Sequence, residues 1–206
     1  IIQDHDHHLD HLDRTLEQAE ARLNHDIEWK RRCLAALREQ REIISHGIGT
    51  VYFAELDEMA YLEYYGAEKL RANKKLRRQV DQWLQGMPIV MPAPCCPREL
   101  VGQDCYCPAG FMVRQADMDF LGLREEENVR VLPARLCVCT TVAQREEIGI
   151  MAKEAIEPLL IFIQQTGLCV AGDALFRCIS FESNENSSGK IYYHVMLPVE
   201  VGKTPK

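Results

Sequence analysis

Nine cysteines and seven histidines are the side chains of this 206-residue chain best suited to chemistry. Cys95-Cys96 and Cys105-Tyr106-Cys107 lie in a proline-rich stretch, residues 87–109, and Cys137-Val138-Cys139 lies in a strand-like one. A structural zinc site needs two short knuckles, each presenting two thiolates to one tetrahedral ion. Adjacent Cys95 and Cys96 do this poorly, and alternate residues of a strand share a face on which one is ordinary small core. His5, His7, His8 and His11 crowd the start of the chain with Asp4, Asp6, Asp10 and Asp13. His7 and His11 share a helix face and suit only adventitious metal. The sequence has no P-loop, no GxGxxG, no HExxH and no GxSxG. It therefore reads as a non-enzyme, with no catalytic residue, metal site or cofactor assigned.

The second set of candidates is apolar. Tyr61, Tyr106, Met112, Phe176, Tyr192 and Met196 are side chains that can form the adaptable wall of a ligand pocket. In the last strand, residues 191–199, alternation puts Tyr192, His194 and Met196 on one face. Tyr193, Val195 and Leu197 fall on the other, which better suits packing against a helix. The first set is the predicted pocket face.

These residues need elements to hold them. Leu9, Leu12, Leu16, Ala19 and Leu23 repeat at spacings of three and four, and Ile27, Leu34, Leu37 and Ile44 continue the stripe after a stutter. Such a helix, residues 1–46, needs a partner helix and reads as a dimerisation rod behind an N-terminal module outside this sequence. Ser45–Gly49 supplies the stop. Residues 51–64 read as one bulged strand or a short pair, 67–85 as a helix, Ile89–Met91 as an edge strand and 110–116 as a strand. After a polar linker at 124–128 the plan repeats. Residues 129–142 are strand-like, 144–165 helical with Pro158 inside, and 175–181 and 191–199 strands, the last stopping at Pro198. Two strand–helix–strand–strand units, about 48–123 and 129–200, imply a duplicated α+β domain over 47–206 with an antiparallel sheet.

The formal charge of -7 argues against direct DNA binding by this chain. No apolar run is long enough for a membrane span, and an odd cysteine count without a secretory signal fits reduced thiols in the cytoplasm.

Val131-Leu132-Pro133-Ala134, Ala171–Cys178 and Tyr193–Val199, in this order behind a coil, carry a resemblance. The chain resembles the C-terminal half of long MerR-family transcriptional regulators, a dimerisation helix plus a GyrI-like effector-binding domain. The resemblance implies a homodimer with antiparallel rods. It also implies a small, apolar or aromatic and often cationic effector between the repeats, and DNA contact through a winged helix-turn-helix domain absent here. Multidrug-sensing relatives carry a buried glutamate where this chain has His194, and a tyrosine where it has Cys178. The ligand set is then His194, Tyr192, Met196, Cys178, Phe176, Tyr61, Tyr106 and Met112. Histidine in place of glutamate predicts weak cation binding and an affinity that responds to pH near 6–7. Two other readings are a GyrI-like hydrolase using Glu182 and His194, and a protein-interaction module without a small ligand.

Overall fold

The computed structural model describes residues 2–64, 73–145, 150–151, 153–184 and 187–202. It forms two compact units, Ile1–Glu39 and Gln40–Lys206. Helix α1, Ile2–Ser45, supplies all of the first. Its leucine stripe is largely uncovered in the single chain: Leu12, Leu16, Leu23, Leu34 and Leu37 are 47–62% exposed. The helix stops where Gly47 takes the left-handed backbone, at φ 82°.

The second unit is α+β. Its remaining elements are strands β1 (Tyr52–Leu56), β2 (Met59–Glu63), β3 (Met91–Pro92), β4 (Cys95–Cys96), β5 (Cys105–Tyr106), β6 (Gly110–Arg114), β7 (Val129–Leu132), β8 (Arg135–Arg145), β9 (Ile150–Met151), β10 (Leu168–Val170), β11 (Ala174–Asn184) and β12 (Ser187–Val201). Two helices, α2 (Lys74–Gln85) and α3 (Lys153–Gln165), complete it. All strand pairs are antiparallel. Among the described residues one sheet runs β1-β8-β12-β11-β4 with β10 on β12, a second runs β3-β6-β2-β7, and β5 and β9 form a two-stranded third.

The orders of the first two sheets are the same. Writing each repeat as strands a, b, c and d, both sheets read c-d-b and then strand a of the other repeat. Thus β1 leaves the first repeat to pair with β8 (Phe53 opposite Val138), and β7 leaves the second to pair with β2 (Ala60 opposite Val131). The duplication expected from the element spacing is present, with its leading strands exchanged.

The exchange decides between the two readings of 51–64 in favour of a short strand pair. Asp57-Glu58 is a break between two strands that belong to different sheets. Pro133-Ala134 breaks the 129–142 stretch in the equivalent place. The helix expected from residue 144 starts at Lys153, while Gln144 and Arg145 continue β8 and Ile150–Met151 pairs with β5. Its start is set from elsewhere, because the Asp104 carboxylate accepts from the Lys153 N–H at 2.9 Å. Pro198 does not stop the last strand: its carbonyl accepts from Ala171 N–H at 2.8 Å, and residues 199–201 pair with β10. Residues 65–72, within the helix expected over 67–85, lie outside the described residues. The described part opens at Asn73, whose side chain accepts from Lys75 and Leu76 N–H.

The large sheet has two distinct faces. Tyr193, Val195 and Leu197, with Phe176 and Val138, pack against Ile156, Leu159 and Ile163 of α3. On the opposite face Cys137, Cys139, Leu175 and Met196 pack against Met59, Tyr61, Met91 and Met112 of the small sheet. Within the small sheet, Gly110 of β6 leaves room for the Tyr61 ring of β2, since a Cβ there would sit 2.2 Å from it. Among the described residues, no helix is long and apolar enough to cross a membrane.

Candidate functional site

The second face of β12 runs Met196, His194, Tyr192 toward the end of α1. Register carries it across the sheet. His194 lies opposite Thr141 of β8 and Arg177 of β11, and Tyr192 lies opposite Ala143 and Ser180. A β-bulge between Cys178 and Ser180 turns β11 over, so that Ile179 and Ser180 both join this face. The bulged Ile179 carbonyl accepts a hydrogen bond from Gln40 Nε2 at 2.5 Å. The chain leaving α1 then clips onto β8, with Gly49 N–H donating to the Thr141 carbonyl at 2.9 Å and Ile48 bridging to Thr141.

This arrangement frames a half-open cavity of about 470 Å³. Ile44, Gly47 and Ile48 wall one side, and Thr141, Ile179, Ser180 and Tyr192 the other. That volume suits a small organic molecule. The lining is apolar apart from two hydroxyls and the Tyr192 ring edge, and Tyr192 O–H donates to the exposed Glu182 carboxylate at 3.0 Å.

Next along this face, His194 is almost fully buried, at 4% exposure. Its Nε2 lies 2.9 Å from the Tyr52 hydroxyl, and Tyr52 stacks on His46 with ring centroids 3.9 Å apart. Burial first, then the positive fields of Arg177 and His46, pushes the imidazole pKa down to about 3. The expectation of a response near pH 6–7 is therefore corrected, because His194 is neutral throughout that range. Burial likewise pushes the Tyr52 phenol up to about 12. Two buried polar atoms on this face, His194 Nδ1 and Thr141 Oγ1, have no hydrogen-bond partner among the described residues.

The remaining sequence candidates fall elsewhere. Met196, Tyr61 and Met112 meet in the core between the sheets. Phe176 and Cys178 face α3, because they pair with Val195 and Tyr193 across the strand rather than with the His194 face. Tyr106 is 54% exposed on β5. The sequence reading missed Thr141, Ile179, Ser180 and the α1 end. Only the alternation of 135–145 could have signalled Thr141, and nothing local signalled the bulge.

Burial holds the thiols of Cys95, Cys137 and Cys139 protonated. Cys95 sits 2.9 Å from Arg130, which also pairs with Asp173 at 2.7 Å, yet burial outweighs the cation and pushes this thiol up to about 12. Burial also pushes Cys137 up to about 12 and raises Cys139. Among the described residues, no three His, Cys, Asp or Glu side chains converge on a metal position. The side chains of His5, His7 and His8 lie outside the described ones.

No family model matches the chain, and no curated relative does. Similar solved structures include EcmrR, a MerR-family regulator, bound to DNA. It is 15% identical with a TM-score of 0.43, covering 91% of this chain and 70% of that one. The EcmrR C-terminal domain is 15% identical with a TM-score of 0.39, covering 73% and 97%. A Listeria innocua protein described as a hydrolase is 11% identical with a TM-score of 0.45, covering 79% and 97%. Likeness at this level assigns no activity.

Proposed function

We propose that this chain is the dimerisation and effector-binding part of a MerR-type transcriptional regulator. Residues 1–46 form the dimerisation helix of a homodimer, and 47–206 form the ligand domain. A small hydrophobic or aromatic effector occupies the cavity at the Tyr192–His194 face. Its binding is relayed to DNA through an N-terminal domain outside this sequence, in the cytoplasm and without catalysis.

One observation carries this reading. The cavity is walled on one side by the sheet and on the other by the last turn of α1 and its glycine hinge. A molecule filling it touches both, so its binding energy favours one placement of the helix end over others. That differential contact is what a ligand needs to shift a conformational equilibrium.

The test uses the neutral dye N-phenyl-1-naphthylamine. It should bind this chain at one site per protomer with enhanced fluorescence. Ile48→Trp, at a position 63% exposed and tolerant of bulk, should fill the cavity and abolish the signal. Amide exchange over 40–49 should slow when the dye saturates. Dye binding unaffected by Ile48→Trp would defeat the proposal.

A further inference from the structure

The polar atoms of the cavity face point to the kind of effector it takes, given that the cavity is the effector site. We propose that the effector is an uncharged aromatic molecule whose polar group is a hydrogen-bond acceptor, such as a ring carbonyl, received by Thr141 and His194.

Thr141 lines the cavity, and His194 is its direct partner in the next strand on the same face. Residues paired in this way have side chains about 5 Å apart at Cβ, near enough to share one ligand atom. Both are about 95% buried, and Thr141 Oγ1 and His194 Nδ1 lack a partner among the described residues. Leaving a buried polar atom unmatched is costly, so two on one cavity face favour an occupant that matches them.

The direction of the hydrogen bond follows from Tyr52. A neutral imidazole carries one N–H. The Tyr52 hydroxyl and Nε2 lie 2.9 Å apart, and the phenol, a stronger proton donor than an imidazole N–H, is assigned as the donor of this pair. With that assignment the proton sits on Nδ1, which leaves His194 with an unpartnered N–H. Thr141 can donate as well. Ser180 and Tyr192 are the other polar groups lining the space, and Tyr192 is already committed to Glu182. Two unpartnered donors on directly paired residues suit a carbonyl oxygen. A cation would meet a neutral imidazole beside the buried Arg177, whose positive field already depresses His194. A second orphan hydroxyl, Thr140 Oγ1, lies on the opposite face and supplies a control.

The probes are three tricyclic molecules of nearly equal size: fluorene with no polar group, carbazole with an N–H donor, and 9-fluorenone with a carbonyl acceptor. Titration by displacement of N-phenyl-1-naphthylamine should show fluorenone binding roughly tenfold tighter than the other two. Thr141→Val should cut that preference to about threefold while leaving fluorene unchanged. Thr140→Val should leave the preference intact. The cation proflavine should bind more weakly than fluorenone. Equal affinities for the three tricycles, a preference for carbazole or proflavine, or binding of none of them would each overturn the acceptor assignment. None of these outcomes would touch dye binding itself. Loss of the cavity reading shows separately, as dye binding that survives Ile48→Trp.

Discussion

His194 is the residue at which the site and the stability of the fold meet. Its folded pKa lies near 3, against an ordinary 6.5. Between these values the unfolded chain takes up a proton that the folded chain refuses. The stability tied to this neutral imidazole is therefore complete above about pH 6.5 and is lost progressively as pH falls toward 3. The full shift corresponds to roughly 5 kcal/mol, and relaxation of the buried site reduces the realised loss to about 3 kcal/mol. Urea midpoints from pH 7 down to pH 4 should fall in the wild type and flatten in His194→Gln. Equal slopes would show that the imidazole is not held neutral. The sequence located His194 correctly on its face, because strand alternation needs only local pattern. It could not give the pKa, since Tyr52, Arg177 and His46 reach this side chain from three other parts of the chain.

At the scale of elements, local pattern found the long strands, missed the short β4, β5, β9 and β10, and missed where strands change sheets. Val51–Tyr65 and Val129–Val142 each look continuous by composition. Their interruptions, Asp57-Glu58 and Pro133-Ala134, mark the points where one repeat hands a strand to the other. Sheet membership is decided by partners far along the chain, and periodicity carries no information about it. The start of α3 was illegible for the same reason, its capping carboxylate coming from Asp104, 49 residues earlier. Removing that cap with Asp104→Ala should cost about 1 kcal/mol, and Asp104→Asn much less. Chemical denaturation checks both, and an Ala variant as stable as the wild type would mean that the helix start is held otherwise. The cavity depends on another such element. The bulge at Ile179 adds one residue to β11, and deleting Ile179 would leave Ser180 opposite Tyr192 in a regular ladder while removing one apolar wall of the cavity.

For the whole molecule, the uncovered leucine stripe and the exchanged strands make separate demands. The stripe is the surface on which the proposed homodimer rests. Leu12→Glu combined with Leu16→Glu should convert a dimer into a folded monomer in light scattering, and a wild type that is already monomeric would refute the homodimer. The exchange binds the two repeats into one cooperative body. Without β1, the β8 edge of the large sheet is unpaired, and without β7 the small sheet loses its β2 neighbour. A half-chain therefore exposes both a strand edge and the apolar face of Met59, Tyr61 and Met112 that its sister repeat covers. Neither half buries enough apolar surface alone to offset the entropy of ordering its chain. Residues 1–126 and 127–206 produced separately should each lack a cooperative unfolding transition. Co-expressed, with the cut inside the polar linker at 124–128, they should assemble into one body that unfolds in a single transition at a urea midpoint below that of the intact chain. Independent folding of either half would mean that the exchanged pairing is dispensable. Two transitions in the intact ligand domain would mean that each repeat holds a core of its own.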